Sequence, residues 1–160
     1  MNKRFDDPDI EFIHFLSIGI WIGSIVFFTF VAAPKIFKAL PRQMAGDVVG
    51  RIFPQYYKIG LVCGAISIVT LILMPSPVRP VGRILVLSMM VLLTAYAVFR
   101  VGPRVRRLKN ELKEAKAGVE REMKERAFRR LHGFSMVLNM IVLMVGFVFL
   151  FLTASAVDFS

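Results

Sequence analysis

Four long apolar runs, each bordered by charge, set the pattern of this chain. In the first, over residues 10–33, the only ionisable side chains between Asp9 and Lys35 are Glu11 and His14. About 23 residues rising 1.5 Å each cover roughly 35 Å, so the run predicts a membrane-spanning helix. It opens on Asp6-Asp7-Pro8-Asp9, a capping acid before a proline at the first helical position, and closes in Ala32-Ala33-Pro34 before Lys35 and Lys38. Further spans are predicted at 56–74, 81–101 and 131–153. The tight connection through Pro75-Ser76-Pro77 makes the second and third antiparallel neighbours.

Two intervening segments have a different periodicity. Residues 43–53 place Met44, Ala45, Val48, Val49, Ile52 and Phe53 on one side, and Gln43, Asp47 and Arg51 on another. This predicts a short amphipathic helix ended by Pro54. At about 16 Å it is too short to span, so it is expected to lie along the interface. From 104 to 130 the chain is highly charged, yet Val105, Leu108 and Leu112, then Val119 and Met123, recur at helical spacing. A helical hairpin turning near Gly118 and extending the third and fourth spans fits this pattern, with Gly102-Pro103 interrupting or kinking the third. The expected fold is all-α: one membrane domain, 1–160, built as a four-helix bundle.

Polar and small residues are segregated on these helices. His14, Ser17, Trp21 and Ser24 share a narrow sector of the first span, with Gly19 and Gly23 almost opposite, while Gly60, Gly64 and Ser67 form a stripe on the second. Small residues let helix backbones approach closely in lipid, so both glycine pairs are read as packing seams, within the chain or toward a second copy in a homo-oligomer. On this reading Gly23→Leu lowers thermal stability and Gly60→Leu changes oligomeric size.

Composition sharpens the topology. The 160 residues are 56% hydrophobic and carry a net charge of +10. The cations cluster: seventeen Lys and Arg lie between Lys35 and Lys58 or between Arg100 and Arg130, against four elsewhere. Basic loops are retained in the cytoplasm, so both termini are expected outside a bacterial or archaeal cytoplasmic (inner) membrane, with the basic segments touching anionic lipid. The same rule accounts for the charge without nucleic acid. The first run is longer than the apolar core of a signal peptide and reads as an uncleaved anchor. Cys63 is the only cysteine, which excludes an internal disulfide and a Cys-based metal site.

Two histidines invite a haem or metal reading, since imidazole is a common axial ligand. His14 near the outer end and His132 near the inner end are too far apart to share a site. His14 is level with Arg83 and, with Ser17 and Trp21, is expected to line an outward-facing polar cavity. His132, level with Arg100 and Tyr96 and followed by Ser135 and Asn139, forms a second candidate, able to hold an anionic headgroup or substrate. Asn139 is informative because a deep amide needs a partner. Met136, Met140 and Met144 follow helical spacing and read as packing. There is no Gly-rich phosphate loop and no Ser/His/Asp set, and Asp47 is the only acid between Ile13 and Lys109. Catalysis and carboxylate-driven pumping are therefore disfavoured. What remains is binding or transport of a small ligand, a metal complex or an amphiphile, without covalent chemistry; the alternatives are a haem- or porphyrin-binding redox protein and an assembly or scaffold factor acting through the hairpin.

The pattern His14 with Trp21-Ile22-Gly23, Phe30-Val31-Ala32-Ala33-Pro34 with Ile36-Phe37, Ala45-Gly46, Ile52-Phe53-Pro54-Gln55-Tyr56-Tyr57, and then Arg130-Leu131-His132-Gly133 with Asn139 resembles the four-helix membrane proteins related to human transmembrane protein 205. The resemblance implies a four-helix membrane protein with a eukaryotic relative linked to platinum-drug resistance and secretory-pathway membranes, and implies no catalytic residue. A His followed by Trp-x-Gly is also similar, more weakly, to the copper-resistance D proteins and the membrane protoporphyrinogen oxidases. The middle of the third helix lacks the second ionisable group that the latter would supply.

Overall fold

A computed structural model describes residues 8–74, 81–115 and 118–155. The first apolar run becomes α1 (Pro8–Val26), which passes through a π turn at Phe27–Ala32 into α2 (Ala33–Ala39). The chain returns as α3 (Arg42–Leu73). A second rod follows the plan of the first, with α4 (Val81–Tyr96), a π turn at Ala97–Val101 and α5 (Gly102–Glu114), and α6 (Val119–Ala154) closes the set. Among the described residues four rods are thus long and apolar enough to cross a membrane. Each packs on the next and the last returns to the first, giving an up-down-up-down bundle. Gly118, at φ 142°, makes the α5–α6 turn where the sequence places it, a conformation that L side chains rarely adopt. The Asp6-Asp7 cap and the Pro75-Ser76-Pro77 connection lie outside the described residues.

The bundle turns its polar residues inward. On the first rod Phe12, Leu16, Ile20 and Phe27 are exposed, whereas His14, Ser17, Trp21 and Ile25 are buried. This suits a lipid surround, because an apolar face needs no cover there whereas a hydroxyl or imidazole needs a partner.

One predicted break is absent, and another is reduced to a widened turn. The segment 43–53 does not end at Pro54 as a separate interfacial helix; α3 runs through it without interruption. A proline inside a helix loses a backbone hydrogen bond and costs about 3 kcal/mol. Here the residues around it are held by tertiary contacts. Phe53, Tyr56 and Phe28 form a ring cluster at 5.2–5.9 Å, joined by Tyr57, and the start of α3 is tied to α5 through Asp47 and Lys109. Gly102-Pro103 likewise does not interrupt its rod. The Gly102 N–H bonds to the Ala97 carbonyl five residues back, and before Pro34 the Ala33 N–H bonds to Phe28 in the same way. The wider turn takes up the irregularity that proline would otherwise impose as a break.

These two π turns mark a correspondence that hydropathy alone hides. Phe30, Pro34, Lys35 and Lys38 match Phe99, Pro103, Arg104 and Arg107 at a constant spacing of 69 residues, and the same spacing relates His14 to Arg83. The first and third rods are variants of one pattern.

Candidate functional site

Polar side chains gather at two depths. In the half of the bundle holding the start of α1, His14 and Ser17 lie one turn apart and face Ser67 and Thr70, one turn apart on antiparallel α3. Ser17 Oγ donates to the His14 carbonyl at 2.9 Å and lies 2.7 Å from Ser67 Oγ. His14 Nδ1 lies 2.7 Å from Thr70 Oγ1, whose hydroxyl donates to the Ile66 and Ser67 carbonyls. With that proton committed, Thr70 is left to accept, which assigns the His14 proton to Nδ1 from the hydrogen-bond network. Nε2 is left as a buried lone pair with no hydrogen-bond partner among the described residues. Arg83, itself buried, is close enough for its charge to act on the imidazole.

Ser17 thus bonds to His14 and Arg83 lies near enough to act on it by charge, but among the described residues no outward-facing cavity opens at His14. His14 is fully buried between the edges of Phe15 and Phe149, at 6.0 and 5.9 Å, and neither described cavity reaches it. Below it, Trp21 lies over Gly60 and Gly64. A Cβ at Gly60 would stand 2.8 Å from the indole Nε1, and one at Gly64 would stand 2.8 Å from Val91 and 3.0 Å from the indole. This is the glycine seam within the chain. Gly19 and Gly23, expected to form another, point away from the bundle and have nothing within 4 Å of an added Cβ, because the polar face of α1 has taken the inward position.

Deeper toward the basic end, Asn139 finds the partners its burial demands. Tyr56 donates to its Oδ1 at 2.6 Å, and its Nδ2 donates to Thr29 at 3.2 Å. Ser135 lies 3.4 Å from the Tyr57 hydroxyl. A cavity of about 10 Å³ beside Trp21, Tyr56, Thr94 and Asn139 approaches the size of one water. The predicted grouping of His132 with Tyr96 and Arg100 does not form. Thr94, Ala97 and Val101 take the inward face of the third rod, turning Tyr96 and Arg100 to the outside.

His132 and Ser135 belong instead to a large groove that sequence reasoning missed. Its volume is about 1180 Å³, and it lies between the first half of α3, α5 and the first half of α6. Val49, Phe53, Tyr57, Val105, Phe128 and Met136 contribute apolar lining. Seven Lys and Arg line it against two acids, Asp47 and Glu125. His132 stacks on Phe128 with the ring planes 6° apart. Across the groove, Lys109 lies 2.8 Å from Asp47 and donates to the Gly46 carbonyl at 2.7 Å, while Lys113 lies 3.1 Å from Asp47. These two lysines hold the Asp47 carboxyl below the ordinary carboxylate range. The available signal was Asp47 itself, a single acid in basic surroundings.

Among the described residues no three His, Cys, Asp or Glu side chains converge as metal ligands. For a porphyrin, the closed surroundings of His14 do not fit, whereas the groove has the volume, the apolar lining and one imidazole.

No solved structure matches the chain. An uncharacterized protein of Aquifex aeolicus (strain VF5) is 45% identical over 53 residues, which is 33% of this chain and 39% of that protein. The aligned stretch thus covers well under two thirds of the relative. The family model described as a domain of unknown function, DUF4149, matches residues 16–114, from the Ser17 turn of α1 to the end of α5, and by that match over more than half of its length the chain belongs to the DUF4149 family.

Proposed function

We propose that this membrane protein binds an anionic amphiphile in the groove at the basic end of the bundle, and delivers or moves it without covalent chemistry. One observation carries the reading: an opening of about 1180 Å³ combines apolar lining with a large excess of cations. Binding sites of this kind hold a chain by apolar contact and fix its head by a few charges. With the basic end in the cytoplasm, as the Lys and Arg distribution directs, the groove opens at the inner headgroup level. The resemblance to the transmembrane protein 205 family is consistent with a non-catalytic role.

The test is binding to purified protein in nanodiscs. A fluorescent anionic lipid is expected to bind more tightly than a zwitterionic lipid of the same chains, with the preference falling as salt rises. Equal binding of the two refutes the proposal. Orientation is tested separately: in a Cys63→Ala background, a single cysteine placed near Gly118 should resist an impermeant thiol reagent in intact cells and react after permeabilisation.

A porphyrin in the same groove is the second reading, favoured by His132. It predicts a Soret band in protein from haem-replete cells that His132→Ala abolishes and His14→Ala leaves in place.

A further inference from the structure

The groove already contains an anion of its own. Asp47 on α3 reaches across to α5, where Lys109 and Lys113 meet its carboxylate at 2.8 and 3.1 Å. The three side chains are enclosed to different degrees: 25% of Lys109 is exposed, 37% of Asp47 and 49% of Lys113. Lys109 is also fixed by the Gly46 carbonyl, and an added Cβ at Gly50 would lie only 3.2 Å from its Nζ, so the ammonium rests in a notch on α3. Lys113 has no such seat, and its exposed ammonium is the open side of the pair. Arg106 lies on the same stripe of α5 and also lines the groove. One carboxylate therefore faces a local surplus of cations.

Resting on the ligand reading above, we infer that Asp47 is a tethered stand-in for the ligand's head group: a phosphate monoester on a single acyl chain displaces the Asp47 carboxylate from Lys109 and Lys113. A phosphate monoester is favoured over a carboxylate because it brings close to two negative charges and three acceptor oxygens to several ammonium and guanidinium groups, whereas a carboxylate only reproduces what Asp47 already supplies. The acyl chain would lie along the apolar lining. Asp47 in this scheme sets the threshold for binding and forms no part of the bound state.

The test uses full-length protein in dodecyl maltoside, titrated with fluorescent lysophosphatidate, with lysophosphatidylcholine of the same chain as comparator and inorganic phosphate as competitor. Removing the tethered anion by Asp47→Asn should tighten lysophosphatidate binding by about two- to fivefold, the range of a partly exposed ion pair. Lys109→Gln should weaken it about tenfold, and Asp47→Glu should leave it near the wild-type value. Unchanged or weaker binding by Asp47→Asn, with wild type still preferring lysophosphatidate, overturns the displacement while the amphiphile reading stands. Equal binding of both lipids by wild type overturns both. Displacement by inorganic phosphate at the lipid's own concentration makes a free phosphate the ligand and removes the chain from the proposal. If Asp47→Asn fails to fold, Asp47→Ser decides: a tightening of about two- to fivefold supports displacement, and no change or a loss overturns it.

Discussion

The two ends of the bundle handle buried polarity in opposite ways. Around His14 the polar groups are sealed in the interior, with Ser17, Ser67 and Thr70 bonding one another or nearby carbonyls. Around Asp47 the rods part, and charged groups face an open groove across an ion pair that remains partly exposed. Hydroxyls and a neutral imidazole can be enclosed when each finds a neighbour, whereas a concentration of ammonium and guanidinium groups resists enclosure because desolvation penalises each charge. The sealed end closes its polar groups on one another, whereas the open end leaves its charged groups accessible.

The largest expected effect lies at the seam between them. Gly64→Leu forces a side chain into Trp21 and Val91 and is expected to destabilise the protein by about 1–3 kcal/mol, read as a lower melting temperature in detergent. Gly23→Leu, pointing to open space, should melt like wild type; an equal fall in both would show that the outward face of α1 is also packed, against a second copy. Asn139→Leu removes the acceptor for Tyr56 and the donor to Thr29, and a loss of about 1–2 kcal/mol is expected. Thr70→Val keeps the shape of the sealed cluster and deletes the acceptor for His14, for about 0.5–1.5 kcal/mol. If Thr70→Val proves neutral, the His14 end is held by packing alone.

The smallest effect is the pH dependence of the open end. Asp47 has its folded pKa depressed by Lys109 and Lys113 from an ordinary 3.8, so its contribution is fully present above that value and is lost as pH falls through the lower folded one. Acidification from pH 7 to 3.8, where an unpaired Asp would be half protonated, should leave the Asp47 carboxylate mostly ionised by carbon-detected NMR. Half-protonation at or above that value would mean that the lysines are not its partners in solution.

Much of the architecture was legible in the linear pattern because a bilayer imposes a strong rule. Apolar runs of sufficient length predict spans, and each of the four runs falls on one long apolar rod. Gly118 was legible as a turn, and the need of Asn139 for a partner followed from depth alone. The ends of segments were less legible. Pro54 and Pro103 are local helix breakers, and the neighbours that hold a rod continuous around them come from other parts of the chain: Phe28 for Pro54's surroundings, and a widened turn before Pro103.

Rotation was the other unknown. A helical wheel separates the His14 face of α1 from its Gly19 and Gly23 face, but it does not say which points inward. Ser67 and Thr70 on α3 decide that, by offering partners to Ser17 and His14. The sequence by itself determined four spans, the charged hairpin and the concentration of basic residues beside them, because hydropathy and charge act residue by residue in lipid and water. Only the tertiary structure decided that Trp21 closes on Gly60 and Gly64, that Tyr96 and Arg100 leave the site, and that Asp47 crosses to Lys109 beside a groove. Each of these depends on the relative rotation and spacing of two or more helices, fixed by side-chain packing between segments distant in sequence.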